Sequence, residues 1–253
     1  MLLARNVYLL PALIWLVSGV AQAEFIGLNI SKSHWAPALS GKLNSNKSSI
    51  DLVDDLGVAD TSESSTVLIL EHPISGLPNL RYQGYNLGSS GITTPGSEIS
   101  FNGETFSSGH QVTSTFDLSH DDIVLYYQLL DNWVNLDLGL DLKRFDGAVS
   151  LSGSSTTSIA VDETIPLLYL SARFNLPANG FYVGANINSN LSRFNIGSNT
   201  AEDSTIMLGY NSGNGLGVEG GIKYFSLELD DANNLDTNLK YDGIYFNGFY
   251  NFQ

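Results

Sequence analysis

Residues 133–142, Trp133-Val-Asn-Leu-Asp-Leu-Gly-Leu-Asp-Leu142, constrain the fold of this chain more than any other stretch. Val134, Leu136, Leu138, Leu140 and Leu142 alternate without a miss against Asn135, Asp137, Gly139 and Asp141. Strict period two belongs to a strand with one oily face and one wet face. A soluble sandwich and a membrane barrel both use such strands, so the rest of the sequence must decide between them. It contains a secretory leader, no cysteine, 12 tyrosines and an aromatic C-terminal strand. Together these predict an all-β, antiparallel transmembrane barrel of the outer-membrane type.

Arg5, the apolar run from Val7 to Val20 and the small residues Ala21-Gln22-Ala23 read as a signal peptide over residues 1–23. The alternative, a retained membrane helix, must accommodate Pro11 within the run. No later stretch approaches the length of a membrane helix, so the chain from Glu24 can enter a bilayer only as a closed sheet. Losing Arg5 takes the formal net charge from −15 to −16, which argues against nucleic acid as a partner. An acidic exterior suits outer-membrane lipid and lipopolysaccharide bridged by divalent ions, and solvated loops would look the same. Without cysteine there is no disulfide framework, so stability must come from strand pairing. The roughly 230 residues after the leader fit one all-β domain.

Short connections built from turn-forming residues fall at Asp131-Asn132, Leu176–Gly180 and Asn211–Gly215, with a proline-flanked reversal at Pro73–Asn79. Longer polar stretches lie near 36–64, 90–109, 152–157, 197–203 and 231–237. Membrane barrels alternate in this way, with short periplasmic turns and long outer loops. The strands between are 24–35, 65–72, 79–89, 110–130, 133–151, 158–175, 181–196, 204–211, 215–230 and 238–252, ten in all. An even number returns both termini to the periplasm, and eight is the alternative count if the first strand or 204–211 is misread. Within 110–130, Phe116 and Leu118 keep one phase while Ile123, Leu125, Tyr127 and Leu129 keep the other. A bulge near Ser119–Asp122 is the expected cause.

Lipid requires apolar side chains outward and tolerates a polar lumen. Phe181, Val183, Ala185, Ile187 and Leu191 therefore face lipid, as do Ile206, Leu208, Tyr210, Leu216, Val218, Ile222 and Tyr224. Ile244, Phe246, Tyr250 and Phe252 do the same in the last strand, and Trp133 and Phe181 begin an aromatic girdle. A hairpin centred on Gly76 sets Glu71 opposite Arg81, both inward, as a cross-strand ion pair. Asp137, Arg173 and Glu219 stand at a similar height above their own turns. The expectation is a polar layer of Glu71, Arg81, Asp137, Arg173 and Glu219 near the periplasmic end, mutually paired and filling the bore.

Other chemistry finds little support. Gly215-Leu-Gly217-Val-Glu-Gly220 matches a nucleotide-binding pattern in letters, but it opens a strand with no helix to meet a phosphate. Asp230–Asp236 is oxygen-rich like a calcium loop, yet it lacks the turn glycine and terminal glutamate of an EF-hand. Ser119-His120-Asp121-Asp122 is the most catalytic-looking cluster, but adjacent residues of a strand point to opposite faces. His34, His72 and His110 share no metal-ligand spacing, so neither metal nor cofactor is expected.

One family resemblance emerges. Ile50-Asp-Leu-Val-Asp-Asp-Leu-Gly57, Glu71-His-Pro73 with Leu77-Pro-Asn79, Phe116-Asp-Leu-Ser-His-Asp121, Tyr126-Tyr127, Leu130-Asp-Asn132 and Phe145-Asp-Gly147 resemble the outer-membrane barrels that accompany the GlyGly-CTERM sorting system of Gram-negative bacteria. The likeness runs from about residue 24 to the C-terminus and is densest over 50–147. It implies a location and a fold, and brings no catalytic residue with it. One departure is Gln253 after Phe252, where many such barrels end on an aromatic residue.

The chain is thus expected to be a monomeric barrel inserted by the barrel assembly machinery, with an envelope structural or interaction role. A small channel and a rim hydrolase using His120 with Asp121 or Asp122 are the alternatives. Ile50, Leu52, Val53 and Leu56 suggest a helical turn within 36–64, either plugging the lumen or folded over the outer rim.

Overall fold

The computed structural model describes residues 26–45, 48–59, 61–74, 76–190, 199–232 and 235–252. The leader expected over residues 1–23, and Leu191 with its expected assignment to lipid, lie outside the described residues. In chain order the strands are β1 (Gly27–Ser45), β2 (Ser48–Asp51), β3 (Glu63–Glu71), β4 (Asn79–Asn86), β5 (Gly88–Thr93), β6 (Ile99–Phe101), β7 (Glu104–Phe106), β8 (Val112–Asp117), β9 (His120–Asp131), β10 (Val134–Phe145), β11 (Gly147–Ser152), β12 (Thr156–Val161), β13 (Thr164–Asn175), β14 (Phe181–Asn190), β15 (Thr200–Asn211), β16 (Leu216–Ala232) and β17 (Leu235–Phe252).

Strands β1, β3, β4, β9, β10 and β13 to β17 form one antiparallel wall. β1 runs beside β17 from Leu28 opposite Phe252 to Asn44 opposite Asp236, so the first and last strands close a ten-stranded barrel. Closure removes the free edges and lets the backbone satisfy itself where no water is available.

The outer face is apolar over one band. Ile244, Phe246, Tyr250 and Phe252 of β17 are exposed, with Val218 and Ile222 of β16, Ile206 and Leu208 of β15, and Leu138, Leu140 and Leu142 of β10. A soluble fold would need a second layer to cover so continuous a surface, whereas lipid covers it directly. Beyond the band the pattern inverts: Leu235, Leu239 and Tyr241 of β17 are buried, while Asn238, Lys240 and Asp242 face out. β16 repeats the inversion, with Ile222 exposed and Phe225, Leu227 and Leu229 buried.

The inverted region carries a cap. β5, β8, β11 and β12 continue β4, β9, β10 and β13 past a bend, and they keep the same neighbours in the order β12-β11-β8-β5. Four adjacent wall strands therefore leave the barrel together and cover its mouth. Backbone hydrogen bonds stitch the bends, from Leu118 N to Leu87 O at 2.8 Å and from Phe145 N to Glu163 O at 2.8 Å, and Leu87 N also donates to Ser119 Oγ at 3.3 Å. The inner side of the cap sheet, including Phe116, Val149, Leu151 and Ile159, packs in one core with Leu39, Leu43, Leu227 and Leu239.

The phase change in 110–130 is accordingly a passage between two sheets at Leu118-Ser119, not a bulge. Apolar side chains point inward where water lies outside and outward where lipid does, so Phe116 and Ile123 take opposite phases. A bulge exists lower on β9, where the register against β10 shifts between Leu136 and Asp137. The strands expected at 79–89, 133–151 and 158–175 divide at Leu87, Asp146 and Asp162-Glu163 for the same reason.

Much of 36–64 is ordered structure. Residues 36–45 extend β1 along β17, and β2 folds back on β1. A helical turn follows, closed by Asp55 N to Asp51 O and Gly57 N to Val53 O, with Asp51 Oδ1 accepting from Val53 N and Asp54 N. Gly57 ends it at φ +63°, a left-handed conformation suited to glycine. Ile50, Leu52 and Leu56 enter the cap core and Val53 is exposed. The segment thus belongs to the cap and does not plug the lumen. The stretch 231–237 likewise consists largely of β16 and β17.

Candidate functional site

Inward side chains of the wall surround a cavity of about 220 Å³. Glu71, Arg81, Asp137, Arg173 and Glu219 all line it. Glu71 and Arg81 do not stand opposite each other, because the ladder sets Ile69 against Arg81 and Leu70 against Leu80. The reversal is centred earlier than Gly76: Leu77 N donates to Ile74 O at 3.3 Å, and His72 N donates to Asn79 Oδ1 at 3.1 Å.

Neutral groups hold this layer, replacing the mutual ion pairs expected. Tyr126 donates to Glu71 Oε1 at 3.0 Å, and Arg81 Nη2 donates to Gln83 Oε1 at 2.6 Å. Arg173 reaches Asn135 Oδ1 through Nε at 3.3 Å and Nη2 at 3.2 Å. Glu219 accepts from Tyr182 at 2.6 Å and from Asn247 at 3.0 Å. Glu71 and Arg173 are exposed at the turn end of the wall, where the cavity meets solvent.

The buried ion pairs lie one layer higher, away from the turns. Lys143 Nζ stands 2.7 and 2.8 Å from the two oxygens of Asp122, and 3.9 Å from Asp203 Oδ2. Lys223 Nζ stands 3.3 Å from Asp203 Oδ2, donates to the Tyr85 hydroxyl at 3.0 Å, and lies 4.9 Å from the Trp35 ring centre. Two further carboxylates join this layer. Asp141 Oδ2 accepts from Asn188 at 3.0 Å, whereas its Oδ1 and both oxygens of Glu63 have no hydrogen-bond partner among the described residues. Four acids, Glu63, Asp122, Asp141 and Asp203, thus meet two bases, all of them buried.

Above the charges six rings form a roof. Tyr85 stacks on His120 at 4.4 Å, His120 meets Phe145 at 4.9 Å, and Phe145 meets Phe225 at 6.4 Å. Phe225 then meets Tyr241 at 5.9 Å, and Tyr241 meets Trp35 at 6.2 Å. Each ring comes from a different wall strand, so the roof crosses the bore from β4 round to β1. His120 is one of its members: its Nδ1 donates to Leu118 O at 2.8 Å, and the ring is 3% exposed. Asp122 is bound to Lys143, Asp121 points outward and accepts from Tyr82 at 2.8 Å, and Ser119 lies at the bend. The cluster 119–122 is therefore dispersed between roof, charge layer and outer face.

Sequence reasoning missed Lys143, Asp122, Asp203 and Glu63 as members of the site. Parity could have found two of them. Lys143 continues the inward series of Asn135, Asp137, Gly139 and Asp141, and Asp122 precedes outward Ile123.

A closed antiparallel sheet that is apolar outside over one band and charged within defines an integral outer-membrane β-barrel, and this chain is one. No protein-family model and no curated protein sequence matches it. Among solved structures it is similar to Ail, the attachment invasion locus protein of Yersinia pestis, in complex with the heparin analogue sucrose octasulfate, with 10% identity, 90% of this chain and 100% of that chain covered, and a TM-score of 0.35. It is also similar to an outer membrane channel of Pseudomonas putida F1, with 10% identity, coverages of 91% and 97%, and a TM-score of 0.39. The translocator domain of the autotransporter NalP from Neisseria meningitidis shows 12% identity, coverages of 87% and 88%, and a TM-score of 0.37. The assignment rests on the closed ladder and the apolar band, not on these likenesses.

Proposed function

We propose that this protein is a sealed outer-membrane barrel with an envelope structural or interaction role, and neither a solute channel nor a hydrolase. The observation that carries this reading is the aromatic roof. Six rings from six strands lie between the cavity and the cap, and the apolar cap core lies beyond them, which supports a lumen without a continuous wet path. The alternation of short turns and capped ends favours turns and termini at the periplasm and the cap outside. There the cap sheet and the β6–β7 hairpin offer a rigid surface to the envelope, while lipid and lipopolysaccharide surround the band of a monomer inserted by the barrel assembly machinery. The resemblance to barrels accompanying the GlyGly-CTERM sorting system fits an envelope role beside that system. His120 is packed among the rings of Tyr85, Phe145 and Phe225, which disfavours catalysis at the rim.

Planar-bilayer recording of the refolded full chain tests the sealed lumen. Silence is the expected result, and steady single-channel steps from the intact protein would overturn the reading.

A further inference from the structure

The lumen is a blind well whose unsatisfied groups are mostly acceptors. We propose that it binds a small, donor-rich cation, a linear di- or polyamine, which enters from the turn end and reaches Glu63 below the roof. Glu63 is 1% exposed, lines the well, and has no hydrogen-bond partner at either oxygen among the described residues. Lys143 and Lys223 are engaged by Asp122 and Asp203, which leaves Glu63, like Asp141, without a base of its own. Buried acceptors without donors are costly, and a buried carboxylate most of all.

Among the described residues further unpartnered acceptors line the same well: Asp137 Oδ1, Asn247 Oδ1 and Asn188 Oδ1. Among the described lining residues the unpartnered donor is Trp35 Nε1. Six carboxylates against three basic side chains line the well, so its charge favours a cation. The form of the ligand follows from the spacing. Asp137 lies near the turn end and Glu63 near the roof, on the order of 10 Å apart along tilted strands. Among the described residues no three His, Asp or Glu side chains converge on one point to hold a metal ion. Acceptors strung along a well suit amines strung along a chain.

The test is isothermal titration calorimetry of the refolded full-length barrel in detergent with spermidine. The expected result is saturable binding of one spermidine per barrel, weakened at least tenfold by Glu63→Gln and by Asp137→Asn, with Asp54→Asn on the exposed cap surface unchanged. Heat-modifiable migration establishes that each variant is folded. Asp137, nearer the solvent, keeps the test decisive if Glu63→Gln does not fold. The proposal is overturned by no binding to the wild type, by unchanged affinity in either folded lumen variant, by equal binding of neutral sorbitol, or by Mg²⁺ displacing spermidine at equal concentration.

Discussion

Lys143 has no exposed surface, and its Nζ is held between Asp122 and Asp203. A buried ion pair is poor evidence of net stabilisation, but breaking one leaves a charge with nothing to answer it. Lys143→Met should therefore destabilise the barrel by about 3–5 kcal/mol, and adding Asp122→Leu should restore most of the loss. Urea unfolding of the refolded protein in lipid vesicles measures both. If the double variant is no more stable than the single one, Lys143 acts through packing and not through its partner. Close packing also fixes the small residue of the 133–142 alternation. A Cβ at Gly139 would strike the carbonyl oxygen of Leu125, so the inward face there has room only for glycine.

At the scale of the element, each long strand records where lipid gives way to water, because its apolar residues change phase there. Leu168 and Leu170 of β13 face out while Ile165 and Leu167 are buried, and β9 changes phase against β8 in the same sense. The cap end is a layer packed on the wall, so it should loosen separately. Leu52 and Leu56 are fully buried in it, and truncating such residues costs about 2–5 kcal/mol each. Leu52→Asn with Leu56→Asn should expose 48–58 to proteinase K while the barrel keeps its folded, heat-modifiable migration. Loss of the barrel together with the segment would show one cooperative unit instead. Facing was legible in the sequence because parity is local: outward Ile222 and inward Glu219 follow from alternation alone. The cap was not, since Phe116, Val149 and Ile159 alternate alike whichever sheet receives them, and only distant pairing decides. Glu63 was hidden in Thr61-Ser-Glu-Ser-Ser-Thr66, which reads as a polar loop until β1 and β4 pair on either side of it.

The molecule as a whole wears its apolar band unevenly. On β9 and β10 the outward series reaches Ile123 and Leu142. On β1 and β3 it stops sooner: Leu28 and Ile30 give way to Lys32 and His34, and Leu70 and Leu68 give way to Thr66 and Ser64. Lys32 and Thr66 are paired across the ladder, and Lys32 Nζ donates to Thr66 Oγ1 at 3.2 Å, so the polar flank is continuous. A bilayer meets a short flank by thinning, or the barrel tilts, at fractions of a kcal/mol per Å of mismatch. Because the chain has no cysteine, single labels report this directly. His34 and Ile222 lie at comparable distances from the turn end on β1 and β16. A nitroxide at His34→Cys should be relaxed mainly by a water-soluble nickel chelate, and one at Ile222→Cys mainly by oxygen dissolved in lipid. Lipid-like relaxation at both sites would mean that the bilayer covers the ammonium of Lys32. The band would then be even in depth, and the polar flank would have to be stabilised by a group that stays with it inside the membrane.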